Sequence, residues 1–148
     1  MLPKLPIQYK QIKYNTSPRT IPIQYIIIHY TANYDKGAGA LMHYDYFNSS
    51  NKNASADFFV DDKNIICINA DYKNRYAWAV GDNKYYNNRN GKVNINSVHV
   101  EICVNPDSNL DVAIQNSIEL THYLMNELNL GIDKVYRHFD CSGKECPI

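Results

Sequence analysis

The seven residues Gln24-Tyr25-Ile26-Ile27-Ile28-His29-Tyr30 constrain the fold more than any other stretch of the chain. β-branched side chains at successive positions, without the alternation of a half-exposed strand, are the pattern of a strand buried on both faces in a central sheet. His29 ends that run, so a polar ring is carried to the edge of the core. A second strand is predicted over Ser97-Val98-His99-Val100-Glu101-Ile102-Cys103, which alternates strictly. Val98, Val100 and Ile102 fall on one face, and His99, Glu101 and Cys103 on the other, with Glu101 on a polar side.

Helical spacing appears twice between and after these strands. Ala40, Leu41, Tyr44 and Phe47 follow the Gly37-Ala38-Gly39 break, and Val112, Ile114, Ile118, Leu120, Leu124, Met125 and Leu128 form an amphipathic stretch that stops near Gly131. Ala56–Val60 and Ile65–Ile68 flank Asp61-Asp62-Lys63-Asn64, whose turn chemistry predicts a β-hairpin. Lys134–His138 reads as a short strand delivering a polar loop, Phe139 to Cys146. Residues 1–22, with prolines at 3, 6, 18 and 22, read as an irregular arm packed on the domain. Asp71 to Asn96 reads as a long polar surface loop. Strands interleaved with helices over 148 residues give one α/β domain spanning 1–148.

Charge excludes one class of partner. Fifteen Lys+Arg balance fifteen Asp+Glu, which removes the electrostatic pull that nucleic-acid binders use. No stretch is apolar enough to span a bilayer, and the first ten residues hold no run long enough for a secretion leader. The expectation is synthesis in the cytoplasm, with no membrane insertion and a monomeric chain. Cys67, Cys103, Cys141 and Cys146 allow three disulfide connectivities, but a reducing compartment favours free thiols or metal ligands.

Zinc is bound by neutral imidazole and thiolate, with three protein ligands in catalytic sites. His138 and Cys146 are eight residues apart, far enough for the loop between them to fold back on one ion. His29 can supply a third ligand if the last strand lies alongside the first. Taken alone, a histidine closing an apolar strand is more often a hydrogen-bonded structural residue. A rival set, His99, Glu101 and Cys103, has i, i+2 spacing of about 7 Å on one strand face, too sparse for three ligands. His99 and Cys103 therefore read as lining a half-buried face. His43 and His122 lack helical partners of the His-Glu-x-x-His kind, and Cys67 reads as a buried thiol. Cys141 beside His138 lacks a third orienting group for a nucleophile. Nucleophile-elbow, phosphate-loop and dinucleotide fingerprints are absent from the sequence.

Several blocks occur in a familiar order: Ile27–Asn33, Ala54–Phe58, Ala77-Trp78, Asn96–Ile102, Arg137–Asp140 and Lys144-Glu145-Cys146-Pro147. Together they resemble the zinc-dependent N-acetylmuramoyl-L-alanine amidase family of phage endolysins, bacterial autolysins and peptidoglycan recognition proteins. The resemblance runs from about Gln24 onward, and its closing block is the most specific. It implies a central mixed β-sheet flanked by helices and one zinc ion held by His29, His138 and Cys146. It further implies Glu101 as catalytic acid/base, Lys144 beside the metal, and Asn33 and Trp78 in contact with substrate. The substrate would be bacterial peptidoglycan, cut between N-acetylmuramic acid and L-alanine. A phage endolysin stored in the cytoplasm until it reaches the wall is the expected setting, with a C-terminal wall-binding module absent from these residues.

The chain departs from the family pattern at three places. Ala79 follows Trp78 where many members have histidine, Asp57 precedes Phe58 where histidine is common, and His99 replaces a usual glycine. Two alternative readings share the fold or the metal: a module that binds muropeptides without cutting them, and a zinc peptidase acting on the stem peptide.

Overall fold

A computed structural model describes residues 1–81 and 93–147. Its strands are β1 (Ile7–Tyr9), β2 (Thr16–Pro18), β3 (Tyr25–Tyr30), β4 (Phe58–Val60), β5 (Ile65–Cys67), β6 (Arg75–Ala77), β7 (Ser97–Ile102) and β8 (Val135–Arg137). The helices are α1 (Ala40–Phe47), α2 (Leu110–Leu128) and α3 (His138–Ser142). Six strands form one sheet in the order β1-β5-β4-β7-β3-β8, and β2 pairs with β6 beside it. The β4–β5 hairpin is antiparallel, while β1–β5, β4–β7, β7–β3 and β3–β8 are parallel, so the sheet is mixed as expected.

The isoleucine run is interior because both its faces are covered. Ile26 faces α2, joining Val98, Val100, Phe58, Leu120 and Leu124 in the main core. Ile27 faces the other way and packs with Val80, Val93 and Cys141. Both are fully buried, each contributing on the order of 1.5–3 kcal/mol of transfer free energy. On the α1 side, Phe59, Ile66, Ile68 and Cys103 pack with Ala40. The sheet is thus a middle layer, with α2 on one face and α1 and α3 on the other.

The hairpin turn follows from Asp61, whose Oδ1 accepts from the amides of Lys63 and Asn64. Its Oδ2 accepts from the Ala40 amide and so caps α1 from another element. Gly39 must be small for this: a Cβ there would lie 2.7 Å from that oxygen.

Four expectations need correction. Residues 1–22 are not wholly irregular, since they contribute β1 and β2; three-residue strands are too short to display a period. Within 71–96, β6 pairs antiparallel with β2, and Val80, Val93, Asn94 and Asn96 are buried, so this segment is not simply a surface loop; positions 82–92 lie outside the described residues. In α2, Val112, Ile114 and Ile118 are exposed, and the packed face runs through Ala113, Asn116, Ser117, Leu120, Thr121 and Leu124. Its polar members are satisfied there: Asn116 donates to the Asp61 carbonyl, and Ser117 and Thr121 donate to Ile114 and Ser117 carbonyls. The helix ends at Asn129, in the left-handed region with φ 54°, two residues before the predicted stop at Gly131. Finally, the segment after β8 opens as the short helix α3 instead of a loop, because Asp140 accepts from the Arg137 amide and side chain. Among the described residues no helix is long and apolar enough to cross a membrane.

Candidate metal centre and cleft

Parallel pairing sets the site. His29 on β3 is the register partner of Glu101 on β7, and Ile28 is the partner of Arg137 on β8. The chain leaving β8 therefore begins α3 with His138 beside His29, and their Nδ1 atoms lie 3.0 Å apart. The segment then returns: the Phe139 amide donates to the Cys146 carbonyl at 2.9 Å, closing the loop. Cys146 is thereby brought against β3, where its sulfur accepts from the Tyr30 amide at 3.3 Å. Ligand atoms of His29, His138 and Cys146 all lie within 4.8 Å of one another, and all three residues are buried.

This donor set suits a divalent transition metal. Tetrahedral ligands on bonds of about 2.0–2.3 Å stand roughly 3.3–3.6 Å apart; here the two Nδ1 atoms are 3.0 Å apart and the three ligand atoms lie within 4.8 Å of one another, a range that brackets that spacing. Two neutral imidazole nitrogens 3.0 Å apart must either share one proton or point both lone pairs at a cation. Burial drives His29 well below the ordinary imidazole range, with His99, His138 and Lys144 acting in the same direction. The neutral ring that results is the form that ligates metal. Burial also raises the Cys146 thiol to about 11, opposed by the Tyr30 amide and Lys144. An adjacent cation reverses that preference, since a coordinated thiol is deprotonated.

Glu101 stands beside this cluster, its Oε1 3.7 Å from His29 Nδ1. Burial raises its carboxyl to about 8, against the pull of Lys144. Glu101 Oε2 is buried with no hydrogen-bond partner among the described residues, a costly arrangement for a group without a use. A cleft of about 380 Å³ opens over it, with Glu101, Lys144, Asn33 and Trp78 in its walls. A second groove, bordered by His138, Trp78 and Lys144, adjoins it. Trp78 is fixed by its Nε1 donating to Ser17 Oγ and its amide donating to Ser55 Oγ.

The seven residues singled out by sequence thus converge on one region. Two others lie there that sequence reasoning set aside. His43 lines the cleft and stacks on Phe59 at 4.7 Å, with Nδ1 2.7 Å from the Gly39 carbonyl oxygen. His99, expected only to line a half-buried face, contacts His29 Nε2 through its Nδ1 at 2.9 Å. The signal for His99 was its place two residues before Glu101, which means little until the β3–β7 register is known. The other cysteines lie elsewhere: Cys67 and Cys103 are in the two main core clusters and Cys141 packs against Ile27, and none of the four cysteines is in a disulfide. His122 lies on the exposed side of α2. Asp57, just before the interior strand β4, is fully buried and is not among the residues lining the cleft, accepting from Asn69 and the His99 amide. Ala79 lines the cleft and leaves space where many family members carry an imidazole.

The chain is similar in sequence and in fold to known proteins. The sequence profile described as N-acetylmuramoyl-L-alanine amidase matches residues 19–148. N-acetylmuramoyl-L-alanine amidase CwlH of Bacillus subtilis (strain 168) is 38% identical over 123 residues, covering 83% of this chain and 46% of that protein. The catalytic domain of XlyA superposes with a TM-score of 0.85 at 34% identity, covering 97% of this chain and 90% of that one. A mutant endolysin from Bacillus subtilis gives a TM-score of 0.86, also at 34% identity and the same coverage. The chain spans about half the length of the curated relatives it matches.

Proposed function

Since the chain belongs to the N-acetylmuramoyl-L-alanine amidase family, we propose that it is the catalytic domain of a zinc-dependent hydrolase of bacterial peptidoglycan. The bond cut is the amide between the lactyl group of N-acetylmuramic acid and L-alanine. The single observation that carries the reading is the approach of His29, His138 and Cys146 ligand atoms to within 4.8 Å of one another, beside Glu101 and a cleft.

In this reading His29, His138 and Cys146 hold one zinc ion. Bound there, zinc supplies Lewis acidity and brings hydroxide within reach at neutral pH. Glu101 takes the proton of the attacking water and returns it to the leaving amine, a transfer that needs a carboxyl within hydrogen-bond reach of both. Lys144 faces the charge that builds on the carbonyl oxygen, an interaction stronger in the transition state than in the ground state. Asn33 and Trp78 contact the substrate from the cleft walls. The whole chain acts as one domain, and the setting is a phage endolysin made in the cytoplasm that reaches the wall on release, the setting that the similarity to endolysin catalytic domains supports.

Digestion of purified peptidoglycan tests this, with protein stripped by chelator and then reloaded with zinc. New L-alanine amines on intact stems, lost on stripping and restored by zinc, are expected. A shortened stem would instead mark a peptidase, and unchanged termini would mark a module that only binds muropeptides.

A further inference from the structure

His29 has two ring nitrogens, and the structure gives each a different neighbour. Nδ1 faces His138 Nδ1 at 3.0 Å and Glu101 Oε1 at 3.7 Å. Nε2 faces His99 Nδ1 at 2.9 Å. A neutral imidazole carries one proton, so the side on which it sits decides which nitrogen is free to ligate. If Nε2 keeps the proton and donates it to His99, the Nδ1 lone pair points into the cluster. That demands that His99 Nδ1 be bare, and hence that His99 carry its own proton on Nε2.

We infer that His99 is a positioning residue for the metal centre, fixing the ring orientation and tautomer of His29 so that Nδ1 is the donor. This rests on the reading of His29 as a ligand. Partners that hold the second nitrogen of a ligating histidine commonly fix its tautomer and sharpen its affinity; in this chain a second histidine fills that place.

His99 is itself held firmly. Its amide donates to Asp57 Oδ2 at 2.8 Å, its carbonyl accepts from the Asp57 amide at 3.1 Å, and Asp57 Oδ1 accepts from Asn69 at 2.8 Å. The His99 ring is fully buried, and the rings of His29 and His99 are 5.1 Å apart between centroids. Its Nε2 is buried with no hydrogen-bond partner among the described residues. Asp57 and His99, both departures from the family pattern, therefore act together: one anchors the strand segment that presents the other.

The test is a zinc titration of metal-stripped protein against a chromophoric chelator, with His99→Leu and His99→Asn beside the wild type. Leucine keeps apolar bulk and removes the acceptor; asparagine places an oxygen near the position of Nδ1. His99→Leu is expected to bind zinc about 10–100-fold more weakly, and His99→Asn to recover most of that loss. Imidazole ¹⁵N NMR of zinc-loaded wild type is expected to show His29 protonated at Nε2 and bare at Nδ1. Unchanged zinc affinity in folded His99→Leu, or a His29 proton on Nδ1, would overturn the inference while leaving the metal site intact. If the leucine variant does not fold, the wild-type NMR decides alone. Failure of the wild type to bind zinc at all would instead remove the metal reading and this inference with it.

Discussion

His29 and Glu101 stand opposite each other on the parallel strands β3 and β7, and Nδ1 of one lies 3.7 Å from Oε1 of the other. The pairing puts a carboxyl next to a candidate metal ligand without making it part of the three-donor cluster. Replacing Glu101 by glutamine keeps the shape and removes the proton acceptor. The variant is expected to fold and to bind zinc as the wild type does, while amide cleavage falls by about 10²–10⁴-fold. Release of L-alanine amines, measured beside zinc stoichiometry, checks this; a variant cleaving at near wild-type rate would remove Glu101 from the chemistry.

Cys146 supplies the only sulfur of the cluster and is held against β3 by the Tyr30 amide. Cys146→Ser offers a far poorer zinc donor of similar size. Binding that favours the native state adds about 4 kcal/mol at a ligand concentration a thousand times Kd, which for a domain of this size is roughly 8–16 °C in Tm. Wild-type protein should show a rise of that order on adding zinc and a fall with chelator. The serine variant should show little of either, and an equal zinc response in both would mean the metal binds elsewhere.

What sequence could and could not disclose follows from where each constraint lies. The isoleucine run and the alternation over 97–103 are local, and both strands, with Glu101 on the polar side, were readable from them. His29, His138 and Cys146 were linked through the order and spacing of motifs, since nothing local joins residues 109 and 116 positions apart in pairs such as His29–His138 and Tyr30–Cys146. His99 was passed over because its partner belongs to another strand, and register is a property of the pair. The packed face of α2 is hard to read because Asn116, Ser117 and Thr121 look solvent-facing in a sequence, yet Ser117 and Thr121 donate to carbonyls of the helix itself and Asn116 to the Asp61 carbonyl once the helix is docked. The strands β1 and β2 contain three residues each, below the length at which a period-two pattern can be recognised.

Arg19 shows the same kind of hidden constraint and yields a stability prediction. Its guanidinium donates to the carbonyls of Tyr72, Ile95 and Ser97, tying the segment before β3 to those on either side of the 82–92 stretch. A planar fork with several donors suits this task, and a lysine ammonium does not. Arg19→Lys is expected to cost about 2 kcal/mol and Arg19→Leu more, since buried carbonyls lose charged donors. Urea unfolding of the metal-stripped proteins measures both, and losses under about 0.5 kcal/mol would show that water replaces the guanidinium freely.

Asp57 gives the pH dependence. It is fully buried, and burial raises its carboxyl to about 6 against the opposing effects of Arg19, the Asn69 amide and the His99 amide. Its unfolded value is near 3.9, so between about pH 4 and 6 the native state holds a proton that the unfolded state has released. Stability therefore falls as pH rises through that window: the contribution is complete below about pH 4 and lost above about pH 6, amounting to roughly 3 kcal/mol at most. Asp57→Asn removes this titration. With chelator present, the stability of wild type relative to Asp57→Asn should decline from pH 4 to 6 and level off by about pH 7. A difference that stays flat across the window would mean that the three opposing groups keep Asp57 ionised throughout, and that it anchors His99 as a carboxylate at every pH where the protein is folded.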